Sequence, residues 1–352
     1  MLRLNFDPDY QRLLKTLRGG EADRVPLLEL IVDPEIKSAF LGRPLASAAD
    51  DIEFWHRAGY DCATVYPETP ALWYNQKKTQ DAVTADSDAA SGFRTWASEG
   101  KGLIQDWSDL EKYPLCSIQQ VNFSYFDQAR RLLPSGMALV GAWGDIFTYT
   151  WEAMGFEQFS FALFERQNFV AHIFRLLGEL SVQIVDALLS YDVVKAFWFS
   201  DDLAHKTGLL VSRDVFRKYL FPWLKEMGDR CRKAGRPFLF HSDGALWDVM
   251  DDLLDCGVCA LQPIEPLAMD IREVKRRYGH KLCLVGNVDI DLLCRGTEGE
   301  IRGQVRRLLR EVAPGGGYCL GSANTVANYI PLDNYRAMID EAQRFGKYPI
   351  QA

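Results

Sequence analysis

The sequence contains no long apolar run and no apolar leader segment. No stretch approaches the roughly 18 apolar residues that a membrane-spanning helix requires. The N-terminal segment 1–26 instead shows an amphipathic helix pattern that ends at Gly19-Gly20. We therefore expect a soluble, cytoplasmic protein with no membrane-embedded segment.

The sequence also has no excess of positive charge. It contains 40 lysines and arginines against 48 aspartates and glutamates, so its formal net charge is −8. A broad basic surface for nucleic acid or anionic lipid is therefore not expected. The expected partners are a small-molecule substrate and, as one option for the assembly, a second copy of the chain.

Several common catalytic and metal-binding motifs are missing. The pair Cys256 and Cys259 is the single C-x-x-C among eight scattered cysteines, so we expect reduced core thiols rather than a paired zinc motif. No G-x-S-x-G or H-E-x-x-H pattern occurs, which argues against a hydrolase elbow and a zincin. The segment GGGY at 315–318 precedes a predicted strand, not a helix, and so does not form a phosphate cradle.

What the sequence does contain is a series of short apolar runs, each ending in a polar corner and most followed by a helical pattern. Uninterrupted runs are typical of strands buried on both faces, as in a parallel sheet. The eight runs are 25–30, 62–68, 137–145, 195–202, 237–243, 259–266, 282–289 and 317–324. Their number and spacing predict a single (β/α)₈ TIM barrel over residues 1–352.

One region breaks this alternation. Residues 73–114 are polar and then alternating, with Gly and Asp turns. The pattern predicts a small antiparallel excursion between strands 2 and 3, which we expect to lie near the mouth of the barrel.

Polar or titratable residues stand at nearly every predicted strand end. In TIM barrels the active site lies at these carboxyl ends. The residues are Glu29, Tyr66, Glu68, Trp143, Asp145, Asp201, Asp202, His205, His241, Asp243, Glu265, Asn287, Asp289, Ser322 and Asn324. A ring of acids with one imidazole suits a divalent cation or proton transfer beneath a polar substrate.

His241 is the sharpest candidate, because a histidine that ends a buried strand at the catalytic rim has few structural reasons to be there. We expect catalytic roles for His241, Asp243, Asp202 and Glu29. We expect substrate contacts from Tyr66, Trp143, Asp145, His205 and Asn287. The predicted metal ligands are His241, Asp243, Glu265 and Asn324.

Helix capping remains the alternative for Asp201, Asp202 and Asp289. Asp243 is left open between orienting His241, binding a metal and capping the next helix.

The later motifs resemble those of the uroporphyrinogen decarboxylase superfamily, in particular its methyltransferase-like branch. They are SDDLAHKTGLLVS (200–212), RKYLFP (217–222), FHSDG (240–244), PIEP (263–266), MDIREVKRRYG (269–279), LVGNVDIDLLCRGT (284–297), APGGGYCLGSAN (313–324) and PLDNYRAMIDEA (331–342). The resemblance implies a (β/α)₈ barrel with its site at the mouth. True decarboxylases carry an arginine-rich segment after the first strand, whereas LELIVDPEIKS (28–38) contains no arginine. We therefore do not expect porphyrinogen decarboxylation.

The resemblance also suggests a metal. Methylcobamide:coenzyme M methyltransferases bind zinc through His-x-Cys after strand five and through a cysteine after strand eight. His241 matches the histidine, but Asp243 and Asn324 stand where the cysteines would be, and Cys319 lies five residues earlier, inside the strand. Hard oxygen ligands in place of thiolates favour zinc bound more weakly, or another divalent metal.

The function expected from this resemblance is corrinoid-dependent methyl transfer or demethylation. A methyl group would move between a small O-, N- or S-methyl compound and a corrinoid-binding partner protein. Two alternatives remain. One is a lyase or decarboxylase for a small aromatic or hydroxylated substrate, in which His241 and Asp243 act as general acid and base. The other is a carrier of a corrinoid or tetrapyrrole without catalysis, which the converging acids make less attractive.

Overall fold

The computed structural model describes residues 6–70, 78–80, 95–97, 102–113 and 115–351. The strands are β1 (Cys62–Val65), β2 (Lys78–Gln80), β3 (Thr95–Ala97), β4 (Ala138–Gly144), β5 (Val194–Ser200), β6 (Ala204–His205), β7 (Gly208–Leu209), β8 (Phe238–His241), β9 (Ala260–Gln262), β10 (Cys283–Val285) and β11 (Tyr318–Cys319). The first helices are α1 (Tyr10–Leu17), α2 (Pro34–Leu41), α3 (Ala48–Ala58), α4 (Trp107–Lys112), α5 (Ser124–Leu132), α6 (Ile146–Met154), α7 (Phe156–Glu165) and α8 (Gln167–Leu189). The later helices are α9 (Arg213–Tyr219), α10 (Phe221–Lys233), α11 (Met250–Asp255), α12 (Ile271–Tyr278), α13 (Ile290–Arg295), α14 (Glu298–Val312) and α15 (Leu332–Phe345).

Seven strands form one parallel sheet in the order β1-β4-β5-β8-β9-β10-β11. The segment 26–29 lies between its two edges. Leu28 N donates to Leu320 O at 3.0 Å, and Leu320 N donates to Pro26 O at 3.0 Å. On the other side, the Thr64 hydroxyl donates to Glu29 O at 2.7 Å. The sheet therefore curls in the manner of a TIM-like fold, and seven of the eight predicted runs contain its strands.

The strands bury two apolar layers, one on each face of the sheet. The inner cluster takes side chains from all seven strands, among them Trp198 and Leu239. The outer cluster joins the sheet to the helices and includes Phe199 and Phe240. Because side chains alternate along a strand, the residues that continue the inner face beyond Trp198 and Leu239 point toward the mouth of the curled sheet.

Helix α1 closes the amino ends of the strands. Leu13 and Leu17 pack into the inner cluster. The guanidinium of Arg12 forms ion pairs with Asp61, which directly precedes β1, and with Asp23. Among the described residues, α1 thus covers the amino end of the inner face, and the polar strand ends lie at the opposite, carboxyl end.

The predicted excursion is matched in part. Strands β2 and β3 pair antiparallel, as expected for this region. The region is not wholly extended, however, because α4 lies within it. Asp106 begins that helix by accepting a hydrogen bond from Asp109 N at 3.0 Å, a capping signal that the sequence reading passed over. The rest of 73–114 falls largely outside the described residues, and its position near the mouth stays a prediction.

Within the described ranges, no helix combines the length and the apolar character needed to cross a membrane.

Candidate active site

Strands β5 and β8 bring three of the predicted residues together at their carboxyl ends. Asp202, His241 and Asp243 each offer one ligand atom, and these atoms all lie within 4.8 Å of one another. His241 pairs with Ser200 across the two strands. The alternation that puts Trp198 and Leu239 on the inner face also puts residues 202, 241 and 243 there. We call these three residues the mouth cluster.

His241 is held in a defined orientation by a residue that the sequence reading missed. Its Nδ1 contacts the side-chain oxygen of Gln262, and the two residues are partners in the pairing of β8 with β9. Because an amide oxygen only accepts, this contact is a hydrogen bond when Nδ1 carries the hydrogen, and a ring with its single hydrogen there presents the Nε2 lone pair. Nε2 lies 3.6 Å from Asp202 Oδ1. The available signal was positional, since Gln262 is a buried polar residue at the end of an apolar strand.

Asp243 presents one free oxygen. Its Oδ2 accepts from the Asn324 amide at 2.6 Å, and its backbone N donates to Asp202 Oδ1 at 3.0 Å. Its Oδ1 is buried and has no hydrogen-bond partner among the residues described. Burial raises the pKa of Asp243 to about 6; the charges of Asp202 and Glu265 act in the same direction, and His241 opposes them. An unpaired buried carboxylate oxygen is costly unless a ligand or a proton meets it.

Glu265 and Asn324 support the cluster rather than add free ligand atoms to it. Glu265 Oε2 accepts a hydrogen bond from Gly244 N at 3.0 Å, and the side-chain amide of Asn324 donates to Asp243 Oδ2. Gly244 has φ of +85°, and a Cβ there would lie 2.5 Å from the Ala204 backbone, so the turn after Asp243 requires glycine. The structure thus groups Asp202, not Glu265, with His241 and Asp243.

A cleft of about 330 Å³ opens beside the mouth cluster. It is lined by Lys206, Asp243, Glu265, Pro266, Leu267, Asp289, Ile290, Asp291, Ala323, Asn324, Thr325 and Tyr329. Carboxylates outnumber cations in this lining. The cleft therefore favours a neutral or cationic ligand over a polycarboxylate.

Glu29 lies in a separate, fully buried hydrogen-bond chain. Ser322 N donates to Glu29 Oε1 at 2.7 Å, and Ser322 Oγ lies 2.7 Å from Glu29 Oε2 and 2.6 Å from Asn324 O. A hydroxyl has one hydrogen and a carbonyl cannot donate, so both contacts are hydrogen bonds only when Glu29 carries a proton. Burial raises the pKa of Glu29 to about 8, in agreement with this count. The chain thus connects Glu29 to the backbone of Asn324, whose side-chain amide binds Asp243.

Tyr66 and Asp145 border the mouth cluster. The hydroxyl of Tyr66 forms a hydrogen bond with Ser200, while burial and the charges of Asp145 and Asp202 raise its pKa. Burial, together with the nearby charges of Asp201 and Asp202, also raises the pKa of Asp145. Both side chains therefore lie within electrostatic range of Asp202, and their contact with a substrate stays a prediction.

The other three predicted substrate contacts occupy three different environments. Trp143 belongs to the outer cluster, and its indole donates to Ser181 on α8 at 3.1 Å. Asn287 is buried and donates to Ile264 O at 2.6 Å. His205 is an exposed residue of the β6–β7 pair. Trp143 therefore points away from the inner face, whereas substrate contacts by Asn287 and His205 stay predictions.

Two of the acids left open between capping and chemistry are caps. Asp201 accepts from Phe147 N at 2.6 Å and from Thr148 N at 2.9 Å, in the first turn of α6. Asp289 accepts from Asp291 N at 2.7 Å, in the first turn of α13. Outward alternation explains Asp201, which leaves the sheet on the helix side while Asp202 points inward.

The mouth cluster fits a divalent cation. It offers one imidazole nitrogen with its hydrogen fixed on the far side, one half-exposed carboxylate and one buried carboxylate oxygen without a partner. A metal-bound histidine usually donates the N–H of its other ring nitrogen to a nearby acceptor. The side-chain oxygen of Gln262 is in the position of that acceptor for His241. The donors are nitrogen and oxygen, a set that zinc accepts and that harder first-row metals also accept.

The chain is similar to proteins of known family. The uroporphyrinogen decarboxylase (URO-D) family model matches residues 101–345. The uroporphyrinogen decarboxylase of Nitrosospira multiformis is 24% identical over 227 residues, which are 60% of this chain and 59% of that protein. The match thus spans less than two thirds of that relative's length. The uroporphyrinogen decarboxylase of Mannheimia succiniciproducens is 26% identical over 285 residues, which are 76% of this chain and 77% of that protein. A methyltransferase from Methanosarcina mazei superposes with a TM-score of 0.70 at 18% identity, over 95% of this chain and 98% of the other, which shows a shared fold.

Proposed function

Because this chain belongs to the uroporphyrinogen decarboxylase (URO-D) family, we propose that it is a methyltransferase-like member. In this proposal a methyl group moves between a small O-, N- or S-methyl compound and a corrinoid protein. The observation that carries the proposal is the mouth cluster, a metal-capable group at the carboxyl ends of β5 and β8. The structural likeness to the Methanosarcina mazei methyltransferase over nearly the whole of both chains supports it. We further propose that segment 26–29 completes a closed (β/α)₈ barrel with the seven strands.

The charges at the mouth argue against porphyrinogen decarboxylation, although the curated relatives carry that name. A porphyrinogen with several carboxylates needs cationic partners, of which bidentate arginines are the best. The segment after the first predicted strand instead holds Glu29 and Asp33, and Asp33 accepts from Asn328 N at 2.9 Å. Asp202, Asp243 and Glu265 add further negative or titratable groups at the rim.

His241, Asp202 and Asp243 are the residues that would hold the cation. When bound, a divalent cation supplies Lewis acidity that polarises the atom from which the methyl group departs. Gln262 keeps the hydrogen of His241 on Nδ1 and so leaves Nε2 free. Asn324 binds one oxygen of Asp243, and the other oxygen is buried without a partner among the described residues. Tyr66 and Asp145 bound the space in which the small methyl donor would lie.

Replacing Gln262 by methionine should weaken binding of Zn²⁺ or Mn²⁺ by roughly 10–100-fold, as loss of an outer partner of a metal-bound histidine does. Methionine fills a similar volume but accepts no strong hydrogen bond, so the His241 ring loses its fixed tautomer and orientation. The measurement is calorimetric titration of the metal into metal-free protein. The matched control is Gln183→Met on the exposed surface of α8. Equal affinities for the Gln262 variant and the wild type would refute the orienting role.

The proposed activity is tested with purified, metal-loaded protein, cob(I)alamin and a panel of methoxylated aromatics, methylamines and methyl thiols. We expect the spectrum of methylcob(III)alamin to appear with at least one donor, and no coproporphyrinogen to form from uroporphyrinogen. Measurable coproporphyrinogen would contradict the proposal directly. A complete panel without cobalt methylation would reject it in favour of the second candidate.

The second candidate is a lyase or decarboxylase for a small aromatic or hydroxylated substrate. The observation that favours it is the environment of Asp243, whose pKa is raised to about 6. The imidazole of His241 lies in the same cluster, with its Nε2 3.6 Å from Asp202 Oδ1. A carboxyl that titrates near neutrality next to a histidine is suited to general acid and base catalysis. Activity that survives complete removal of metal and needs no corrinoid would identify this candidate.

A further inference from the structure

A second cavity lies at the opposite end of the sheet from the mouth cluster. Its volume is about 380 Å³, and it opens among the amino ends of β8, β9 and β10 beside the end of α1. Leu17, Phe238 and Leu282 contribute an apolar part of its wall. We call it the basal cavity.

The polar side chains of the basal cavity are nearly all basic. They are Arg18, Arg232, Arg236, His280 and Lys281, and no acidic residue appears among the described residues that line it. The five come from three distant parts of the sequence. In a chain with a net charge of −8, this concentration of cations is a local feature of the fold.

Most of these basic side chains make no ion pair with a residue that the structure describes. Arg232 pairs with Asp229 at 2.8 Å, and Arg18 makes one long contact of 3.5 Å to Gly235 O. For Arg236, His280 and Lys281, the described part of the chain provides no ion pair. The Nε of Arg236 is buried without a hydrogen-bond partner, which is unfavourable unless a ligand meets it.

Helix ends do not account for the whole cluster. Cations stabilise the last turn of a helix, and the ends of α1, α10 and α12 reach this face. Arg236 and Lys281, however, lie beyond α10 and α12, in the turns that lead into β8 and β10. The larger cleft of about 430 Å³ near Arg57 offers a contrast, because its arginines pair with carboxylates such as Glu53, Asp340 and Asp333.

We propose that the basal cavity binds a small polyanion, a metabolite carrying phosphate or several carboxylates. Guanidinium groups bind both kinds of anion through paired hydrogen bonds, and Arg236 offers a buried donor for one of them. The apolar wall suits a ligand with a short carbon skeleton. The site lies apart from the mouth cluster, so the proposal is independent of the reaction proposed above.

The test is calorimetric titration of metal-free protein with pyrophosphate and with tricarballylate at constant ionic strength. We expect at least one of them to bind with a Kd below about 1 mM. Arg236→Gln and Lys281→Gln should each weaken that binding at least tenfold; both sites are at least partly exposed, so the fold should persist. The two probes distinguish a phosphate ligand from a carboxylate ligand.

The controls are Arg57→Gln, in the cleft where arginines are paired, and His241→Ala, at the other end of the sheet. Both should bind the anion as the wild type does. Failure of both probes to bind, or equal affinities in wild type and Arg236→Gln, would overturn the proposal. Loss of binding in His241→Ala would also overturn it, since the anion would then lie at the mouth. Binding of hexaglutamate without either small anion would assign the cavity to an acidic protein segment instead.

Discussion

His241→Ala should abolish high-affinity metal binding and all turnover, while the protein remains folded. The substitution removes the only nitrogen donor of the mouth cluster and leaves Asp202 and Asp243 as two neighbouring acids. Like charges at this distance repel and favour protonation of one carboxyl, which further weakens a cation site. The measurements are metal content by elemental analysis after reconstitution, and the rate of cobalt methylation.

The matched control for this variant is His56→Ala, which removes an imidazole from the last turn of α3, away from the strand ends. It should retain full metal content. Asp243→Asn should reduce activity less than His241→Ala, because His241 and Asp202 both remain in the mouth cluster. If His241→Ala bound metal and turned over normally, the mouth cluster could not be the reactive centre.

Glu29→Gln should stabilise the protein by an amount that grows between pH 6 and pH 9. At pH 6 the variant should be more stable than the wild type by about 2 kcal/mol, since the amide donates to Ser322 Oγ and accepts from Ser322 N as protonated Glu29 does, while the unfolded wild type has already released its proton. At pH 9 the difference should reach about 4–5 kcal/mol. Glutamine needs no proton, whereas the wild type must then hold a buried carboxylate or unfold locally.

The sign follows from proton binding. The folded-state pKa of Glu29 is raised to about 8 from the usual 4.5, so between these values the native protein binds a proton that the unfolded chain has released. The contribution to stability is complete below pH 4.5 and is lost as the pH rises through about 8. A shift of this size corresponds to an order of 4–5 kcal/mol in the free energy of unfolding.

The measurement is urea unfolding of wild type, Glu29→Gln and Glu29→Ala from pH 5.5 to pH 9. Other buried acids with raised pKa contribute the same trend to every variant, so the difference between wild type and Glu29→Gln isolates this residue. Glu29→Ala should be less stable than Glu29→Gln at every pH by roughly 2–4 kcal/mol, because it leaves Ser322 unpaired in a cavity. A loss of 2 kcal/mol or more in Glu29→Gln at pH 6 would show that Glu29 is ionised.

Much of the fold could be predicted from the sequence, because buried parallel strands have a local signature. Runs such as 195–202 and 237–243 are apolar without alternation, and each contains a strand of the sheet. Period-two geometry was also enough to predict that His241 and Asp243 share a face, since that depends only on the strand continuing through Ser242. The first run, 25–30, was the exception: it joins the sheet through a few bonds to Leu320 and is not a continuous strand.

Which residues meet at the mouth depended on the tertiary structure. The carboxylate grouped with His241 is that of Asp202 and not that of Glu265. Glu265 instead accepts a hydrogen bond from Gly244 N. Trp143 stands at a strand end like its neighbours, yet its register turns it outward against Ser181. The grouping of Asp202 with His241 depends on side chains that are distant in sequence, whereas the outward direction of Trp143 follows from the alternation that puts Ala138, Val140 and Ala142 on the inner face.

The sequence by itself determined the strand order along the chain, the inward direction of His241 and Asp243, and the motifs of the family. These follow from local alternation and composition, which act within a few residues. Only the tertiary structure determined the raised pKa of Glu29, the contact of His241 with Gln262 and the grouping of basic side chains around the basal cavity. Desolvation and hydrogen bonding depend on what surrounds a group in space, and residues such as Glu29 and Ser322 become neighbours only when the sheet curls.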